Sequence, residues 1–254
     1  MKTAVSLEHG TSDYENCNKL SLDAPFRWVN KGWHDFKHAP SHSLTYGAVF
    51  TAIGWLLISI AQTNMSYLLP SLLIVMLIVG PALAFGLYDI SKELERKHQP
   101  SFSHERKKAF SEMGHELMLS LMMSLVFMFI VMLTSLAMNI AAAPWQTGVS
   151  ATLPMSNETF LYVTVVFAGL LFCVNLFALP MILDQDASAG TATRTSLNAV
   201  WKNKSVIALW ALLVMALTAV GIATYLAGFV FIVPIIGYAS WHAYRETIVT
   251  GKSM

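Results

Sequence analysis

The sequence predicts an all-α membrane protein with six transmembrane helices and both termini in the cytoplasm, on the strength of three observations. Hydrophobic residues make up 55% of the 254 and charged residues only 12%, against roughly 25% charged in an ordinary soluble domain. The apolar residues fall in six long blocks, each near the roughly 20 residues that a helix needs to cross a hydrocarbon core while satisfying its own backbone. All 16 Lys and Arg lie in alternate connections: five before the first block, six between the second and third, three between the fourth and fifth, and two after the sixth. The positive-inside rule puts those connections in the cytoplasm.

Residues 1–24 mix Ser, Asn, Glu, Asp and Lys without periodicity and read as a mobile tail. From Pro25 the pattern changes. Phe26, Trp28, Val29, Trp33 and Phe36 recur at helical spacing beside Arg27, Lys31, Asp35 and Lys37, which predicts an amphipathic helix lying in the inner interface. The spans follow at 44–63, 68–88, 117–143, 159–183, 206–223 and 226–244, and 248–254 forms a short cytoplasmic tail. The polar start of the chain, with no short apolar stretch before a small-residue cleavage site, makes the first span its own uncleaved insertion signal.

Interfacial segments also precede span 3 (104–113, with Phe110) and span 5 (194–204, with Leu197, Val200 and Trp201). The 25–247 membrane domain therefore reads as three copies of one unit, an interfacial helix followed by a helical hairpin. Pro81, Pro180 and Pro234 fall inside spans 2, 4 and 6, the second member of each hairpin. A proline there removes a backbone donor and bends its helix, so these three are candidate hinges. Small residues four apart, at Ala82–Gly86 and Ala219–Ala223–Ala227, suit close helix packing.

No Asp, Glu, Lys, Arg or His lies in the middle of any span. Such residues usually mark proton or ion routes and cofactor ligands, so their absence argues against a proton-coupled carrier, a pump, or a haem held between mid-membrane imidazoles. A net charge of +1 gives no general attraction to nucleic acid. Phosphate-binding loops, a zinc-protease helix motif and nucleophile–base patterns are all missing from the sequence, so no catalytic residue and no cofactor is assigned. Cys17 and Cys173 lie at different depths and read as free thiols.

Weak metal candidates are the span 3 methionines Met118, Met122, Met128 and Met132, soft ligands in two four-residue pairs, and His34 with His38, which share a helix face. Packing explains both sets as well. Polar character concentrates at the inner ends of the spans, where Arg27, Asp35, Tyr88, Asp184, Asp186, Trp241, His242 and Arg245 form a candidate cluster. Headgroup anchoring accounts for the aromatic and basic members, whereas anionic headgroups would repel Asp184 and Asp186. A salt bridge from one of these acids to Arg245 or Arg27 would remove that conflict.

The run Arg27-Trp28, Gly32-Trp33, Asp35, Pro40, Tyr46-Gly47, Gly80-Pro81, Gly86-Leu87-Tyr88, Pro180-Met181, Asp184, Pro234, Gly237 and Trp241-His242-Ala243-Tyr244-Arg245 resembles a bacterial family of integral membrane proteins built on a domain of unknown function. Some of its members carry a cytochrome c oxidase label. The resemblance spans about 25–247 and implies a bacterial inner membrane, with the lipid bilayer and the subunits of an inner-membrane complex, such as a respiratory one, as surroundings. The expected role is a non-catalytic accessory or assembly partner of such a complex. A channel, carrier or exporter for a small or apolar solute is the alternative, and copper or haem handling a weaker one.

Overall fold

The computed structural model of the chain describes residues 17–63, 83–96, 157–185 and 187–248. Seven helices form among these residues: α1 (Ala24–His38), α2 (Pro40–Ala61), α3 (83–95), α4 (Asn157–Gln185), α5 (Ala189–Lys202), α6 (Lys204–Ala223) and α7 (Phe229–Thr247). Span 3 and most of span 2, with Pro81, Asp186, Met118, Met122, Met128 and Met132, lie outside the described residues.

Local sequence sets the boundaries. Pro40 disfavours helical backbone at Ala39, which takes φ −128° and ψ 56°, so α1 stops there and α2 starts with proline in its first turn. Ser188 caps α5 by accepting from the Thr191 amide at 3.3 Å. Asn203 separates α5 from α6. The α6–α7 turn at 224–228 places Tyr225 and Leu226 in left-handed backbone, at φ 52° and 69°. The Tyr225 carbonyl accepts from the Trp55 indole at 2.7 Å, tying that turn to α2. This turn displaces the start of the last helix to Phe229, a few residues later than the expected span at 226.

Two described helices are long and apolar enough to cross a membrane, at Pro40–Ile60 and Lys204–Ala223, and a shorter apolar stretch covers Gly169–Gln185. Trp55, Leu56 and Ile58 on α2, and Leu212, Met215, Val220 and Ile222 on α6, point outward from the bundle. An exposed apolar surface of that extent is unfavourable in water and natural in lipid.

The packed core gathers at the charged end. Trp28, Trp210, Trp241, Phe177, Met181 and Tyr244 are fully buried there, and Trp28 meets Trp210 edge-on with ring centroids 5.6 Å apart, an arrangement worth about 0.5–1.5 kcal/mol beyond burial. Helix α1 does more than lie in an interface. Its apolar residues divide between two faces, with Trp28, Gly32 and Phe36 turned into the bundle beside Asp35 while Phe26 and Trp33 point out. Helix α5 does the same, burying Ala192, Thr195, Ser196 and Ala199 and turning Leu197 and Trp201 outward. On α5 the large apolar residues lie outside and the small ones within, which lets that helix pack closely on its neighbours.

At the centre of the bundle is α7, packed on both α1 and α2. A Cβ at Gly32 would lie 2.6 Å from the Ile235 carbonyl oxygen, and one at Gly47 would fall on the carbonyl of Val230. Pro234 lies four residues after Val230 and cannot donate to it. The carbonyl that proline leaves without its helical donor is therefore the one that Gly47 covers, and an activated Cα–H is the natural weak partner for it. In α4 a side chain intrudes instead. Ser196, fully buried on α5, donates to the Cys173 carbonyl at 2.7 Å and accepts from the Phe177 amide at 3.3 Å. It thus sits within one i→i−4 step of α4 just before Pro180. Of the stripe at Ala219, Ala223 and Ala227, each residue is exposed among the described ones.

Residues 17–23, placed by the sequence analysis in a mobile tail, are held. Cys17 forms an antiparallel bridge with Ile248. Asn18 donates to the Thr247 carbonyl at 2.9 Å, and Asn203 clamps this segment by accepting from the Leu20 amide at 2.8 Å and donating to the Asn18 carbonyl at 2.9 Å. Asn203, within the expected interfacial segment 194–204, is the buried amide that makes this possible. Burial pushes the Cys17 thiol above its usual range despite the nearby Lys202 ammonium, so thiol reagents are expected to react with it slowly in the folded protein.

Replacing Gly47 by Ala is expected to lower stability by about 1–3 kcal/mol, although Ala is the better helix former in isolation. Gly169→Ala, where a Cβ meets nothing within 4 Å among the described residues, is expected to leave stability unchanged or raised. Thermal unfolding of both variants in one detergent checks the contrast.

Candidate functional site

The polar residues at the inner ends of the helices form two connected groups around the last two turns of α7. Helix α7 supplies Trp241, His242, Tyr244, Arg245 and Glu246; α1 supplies Arg27 and Asp35; α3 supplies Ser91, Lys92 and Glu95; and α4 ends on Asp184. Helical spacing brings these to one level. Arg27, Lys31 and Asp35 are four apart on α1, as are Ser91 and Glu95 on α3 and His242 and Glu246 on α7.

In the first group Asp184 is the shared acceptor. Its carboxylate receives the Lys92 ammonium at 3.1 Å, the Arg245 guanidinium at 3.3 Å and the Tyr244 hydroxyl at 3.0 Å. Arg245 also reaches Glu95 at 3.1 Å, and the Trp241 indole donates to the same Glu95 at 3.2 Å. The Lys92 side chain adds a bond to the Leu183 carbonyl at 3.1 Å and lies 5.9 Å over the Trp241 ring. Burial works against the Arg245 charge, but the hydrogen bonds and charges of Glu95, with Asp184 behind them, outweigh it and hold the guanidinium above its usual range. Two cations and two acids thus neutralise one another.

The second group is centred on Asp35, whose carboxylate is 9% exposed. Ser91 donates to its Oδ2 at 2.5 Å and the Nε2 of His242 lies 2.8 Å from the same oxygen. Ser, His and Asp do occur together here, but the geometry is not that of a nucleophile relay. Such a relay joins serine and carboxylate to opposite nitrogens of the imidazole and leaves the hydroxyl free to attack. Here both meet the same nitrogen, and the hydroxyl proton is engaged by the carboxylate.

Arg27 does not meet Asp184. It pairs with Glu246 on α7 and with Asp23 one turn earlier, and Glu246 accepts the Trp28 indole at 3.0 Å as well. The Ser21 hydroxyl, and after it Arg27, holds the Asp23 carboxyl below its usual range. Tyr88 is buried beside this level with its hydroxyl against Ser240. Tyr238, one turn before the closing run, is fully buried and shares a 2.8 Å hydrogen bond with Ser43.

His34 and His38 stack at 4.0 Å on the outer face of α1, with His38 Nδ1 at 2.8 Å from the His34 carbonyl. Among the described residues no three His, Cys, Asp or Glu side chains are grouped to hold a metal ion. Between the two polar groups lies a cleft of about 470 Å³, lined by Arg27, Lys31, Glu95, His242, Arg245 and Glu246.

Of the residues predicted from sequence, Asp184 joins Arg245, Asp35 joins His242, and Trp241 enters through Glu95. Sequence reasoning missed Ser91, Glu95 and Glu246. Their signal was present: Ser91 continues the buried face of Leu87 and Tyr88, Glu95 follows it by one turn toward the surface, and Glu246 lies one turn beyond His242.

Apolar helices with outward apolar faces, a packed charged end and no strand among the described residues define a helical integral membrane protein. Residues 68–184 match the model of a family described as predicted integral membrane protein (DUF2189), a little under half of the chain. This bears out the resemblance to a membrane-protein family of unknown function. Comparison with curated proteins and with solved structures gives no match.

Asp184→Asn leaves Lys92 and Arg245 facing a neutral amide and is expected to cost about 1–3 kcal/mol. Asp23→Asn, at an exposed pair, is expected to leave unfolding unchanged. Melting of the two variants, followed by tryptophan fluorescence, separates the closed network from the surface pair.

Proposed function

We propose that this chain is a non-catalytic accessory or assembly partner of a larger complex in the bacterial inner membrane, with six spans, three hairpin units and both termini in the cytoplasm. The observation that carries the reading is the closure of the inner-end network. Asp35, Asp184, Glu95 and Glu246 each meet a basic or hydroxyl side chain of another helix, so the helices are fastened into one block at that end. Pairing of Cys17 with Ile248 at the same end supports termini on one side.

The carrier alternative needs helices that move. Pro234, one of its hinges, stands where α1 and α2 press on the backbone of α7, and bending there would separate Gly32 and Gly47 from their seats. Pro180 is likewise buried, one turn beyond the Ser196 insertion. Kinks packed this closely support a rigid frame over a moving one. The outward aromatic residues Phe26 and Trp33 on α1, with Leu197 and Trp201 on α5, offer a partner subunit its contact at headgroup depth.

Affinity purification from native membranes in a mild detergent tests this. Stoichiometric membrane subunits are expected with the wild-type chain and are expected to be lost from a Trp33→Ala/Trp201→Ala variant that still reaches the membrane in normal amount. Recovery of the chain alone, or only with copies of itself, would contradict the proposal and favour a self-contained channel or carrier.

A further inference from the structure

Helices α1 and α7 face each other across the inner end as a ladder of charges. Arg27 is closed by Glu246, and two turns later Asp35 is closed by His242. Between them on α1 stands Lys31, one turn from each, and among the described residues it has neither an ion-pair nor a hydrogen-bond partner. The cleft of about 470 Å³ opens at this middle rung, with Arg245 and Glu95 on its far side.

The charge balance of the cleft follows from its lining. Arg27, Lys31 and Arg245 bring three positive charges, Glu95 and Glu246 bring two negative ones, and both acids are already held by an arginine. Among the lining residues one positive charge is left over, that of Lys31; Asp23 and Asp184 hold the far sides of Arg27 and Arg245, and Asp35, one turn from Lys31, is held by Ser91 and His242. Arginines oriented by carboxylates present a fixed array of N–H donors, and an adjacent lysine adds a mobile point charge; together these suit a tetrahedral anion with several acceptor oxygens. The volume is within the range of small-molecule sites, roughly 300–1,000 Å³.

From this incomplete ladder we infer a binding site for an anionic phosphate group, completed by the ligand at the Lys31 rung between Arg27 and Arg245. The phosphate belongs either to a soluble phosphate compound or to a phospholipid headgroup, since Phe26 and Trp33 face outward on the same helix. This site is independent of the accessory role, because neither Lys31 nor the cleft takes part in the outward aromatic faces.

The test follows thermal unfolding of purified protein. One arm titrates inorganic phosphate against chloride at matched ionic strength and pH. The other compares nanodiscs of phosphatidylcholine with nanodiscs containing phosphatidylglycerol. Wild-type protein and Lys37→Met, which alters the next lysine on α1 outside the cleft, are expected to be stabilised. Lys31→Met is expected to bind roughly ten- to hundredfold more weakly, the loss of one charge-assisted hydrogen bond, and Lys31→Arg to retain binding. Stabilisation by phosphate alone identifies a soluble ligand, stabilisation by phosphatidylglycerol alone a lipid, and a response to both the phosphate group itself. No response of the wild-type protein in either arm overturns the site, as does equal weakening by Lys31→Met and Lys37→Met, which would reduce the effect to general surface charge. Should Lys31→Met not fold, the wild-type titrations and Lys31→Arg still decide.

Discussion

Pro234 leaves the carbonyl of Val230 without its donor inside α7, and α2 covers that carbonyl with Gly47 at a separation where no side chain fits. One turn along, α1 lays Gly32 against the backbone at Ile235 and Ala239. Much else depends on this contact between main chains. It fixes how far α1 and α2 stand from α7, and so whether Asp35 can reach His242, whether Arg27 can reach Glu246, and whether Ser43 can meet Tyr238. In lipid no hydrophobic force drives helices together, so close packing through small residues and interhelical hydrogen bonds must do it. Glycine and proline, each unfavourable in an isolated helix, here fit one another.

Above that contact the bundle is open to an apolar surround, and below it the chain folds like a soluble protein. Three tryptophans are fully buried at the charged end, Cys17 pairs with Ile248, and a buried asparagine holds the segment that follows Cys17. Ion pairs close the structure at this level. The pairs of Asp35 and Asp184 are largely shielded from water, while Arg245–Glu95 is more exposed, and each of these acids is shared by several donors, which is the circumstance in which a charge pair avoids a net desolvation cost. The arrangement gives the helices a common base rather than a chemical centre.

Much of this was legible in the sequence, and the limits have physical causes. Long apolar runs and one-sided charge identify spans because lipid makes both unavoidable, and α2 and α6 lie close to where hydropathy put them. The cluster of Asp35, Asp184, His242 and Arg245 was visible because charged residues next to a span need neutralising. Its pairings were not, because they depend on helix rotation: Arg27 had two acids within sequence reasoning and found a third, Glu246. The burial of Trp28 against Trp210 was hidden for the same reason, since an amphipathic pattern does not say which face meets lipid. Ser196 gave no signal at all, because its role depends on a carbonyl and an amide of another helix. The anchoring of residues 17–20 was missed because its bonds run through backbone and Asn203, and polar composition alone reads as mobile.

The central claim is that the inner half of α7 is fastened into a block with α1, α3 and α4. Hydrogen exchange of the α7 amides between Tyr238 and Thr247, read by mass spectrometry in detergent and in nanodiscs, tests it most directly, because protection there reports the free energy of opening rather than mere helicity. The account predicts that these amides exchange as slowly as the slowest in the protein, and that Asp184→Asn accelerates them while the outer half of α7 stays protected. Rapid exchange of this segment in the unmodified protein, with the outer half protected, would contradict it and make the inner end a moving part.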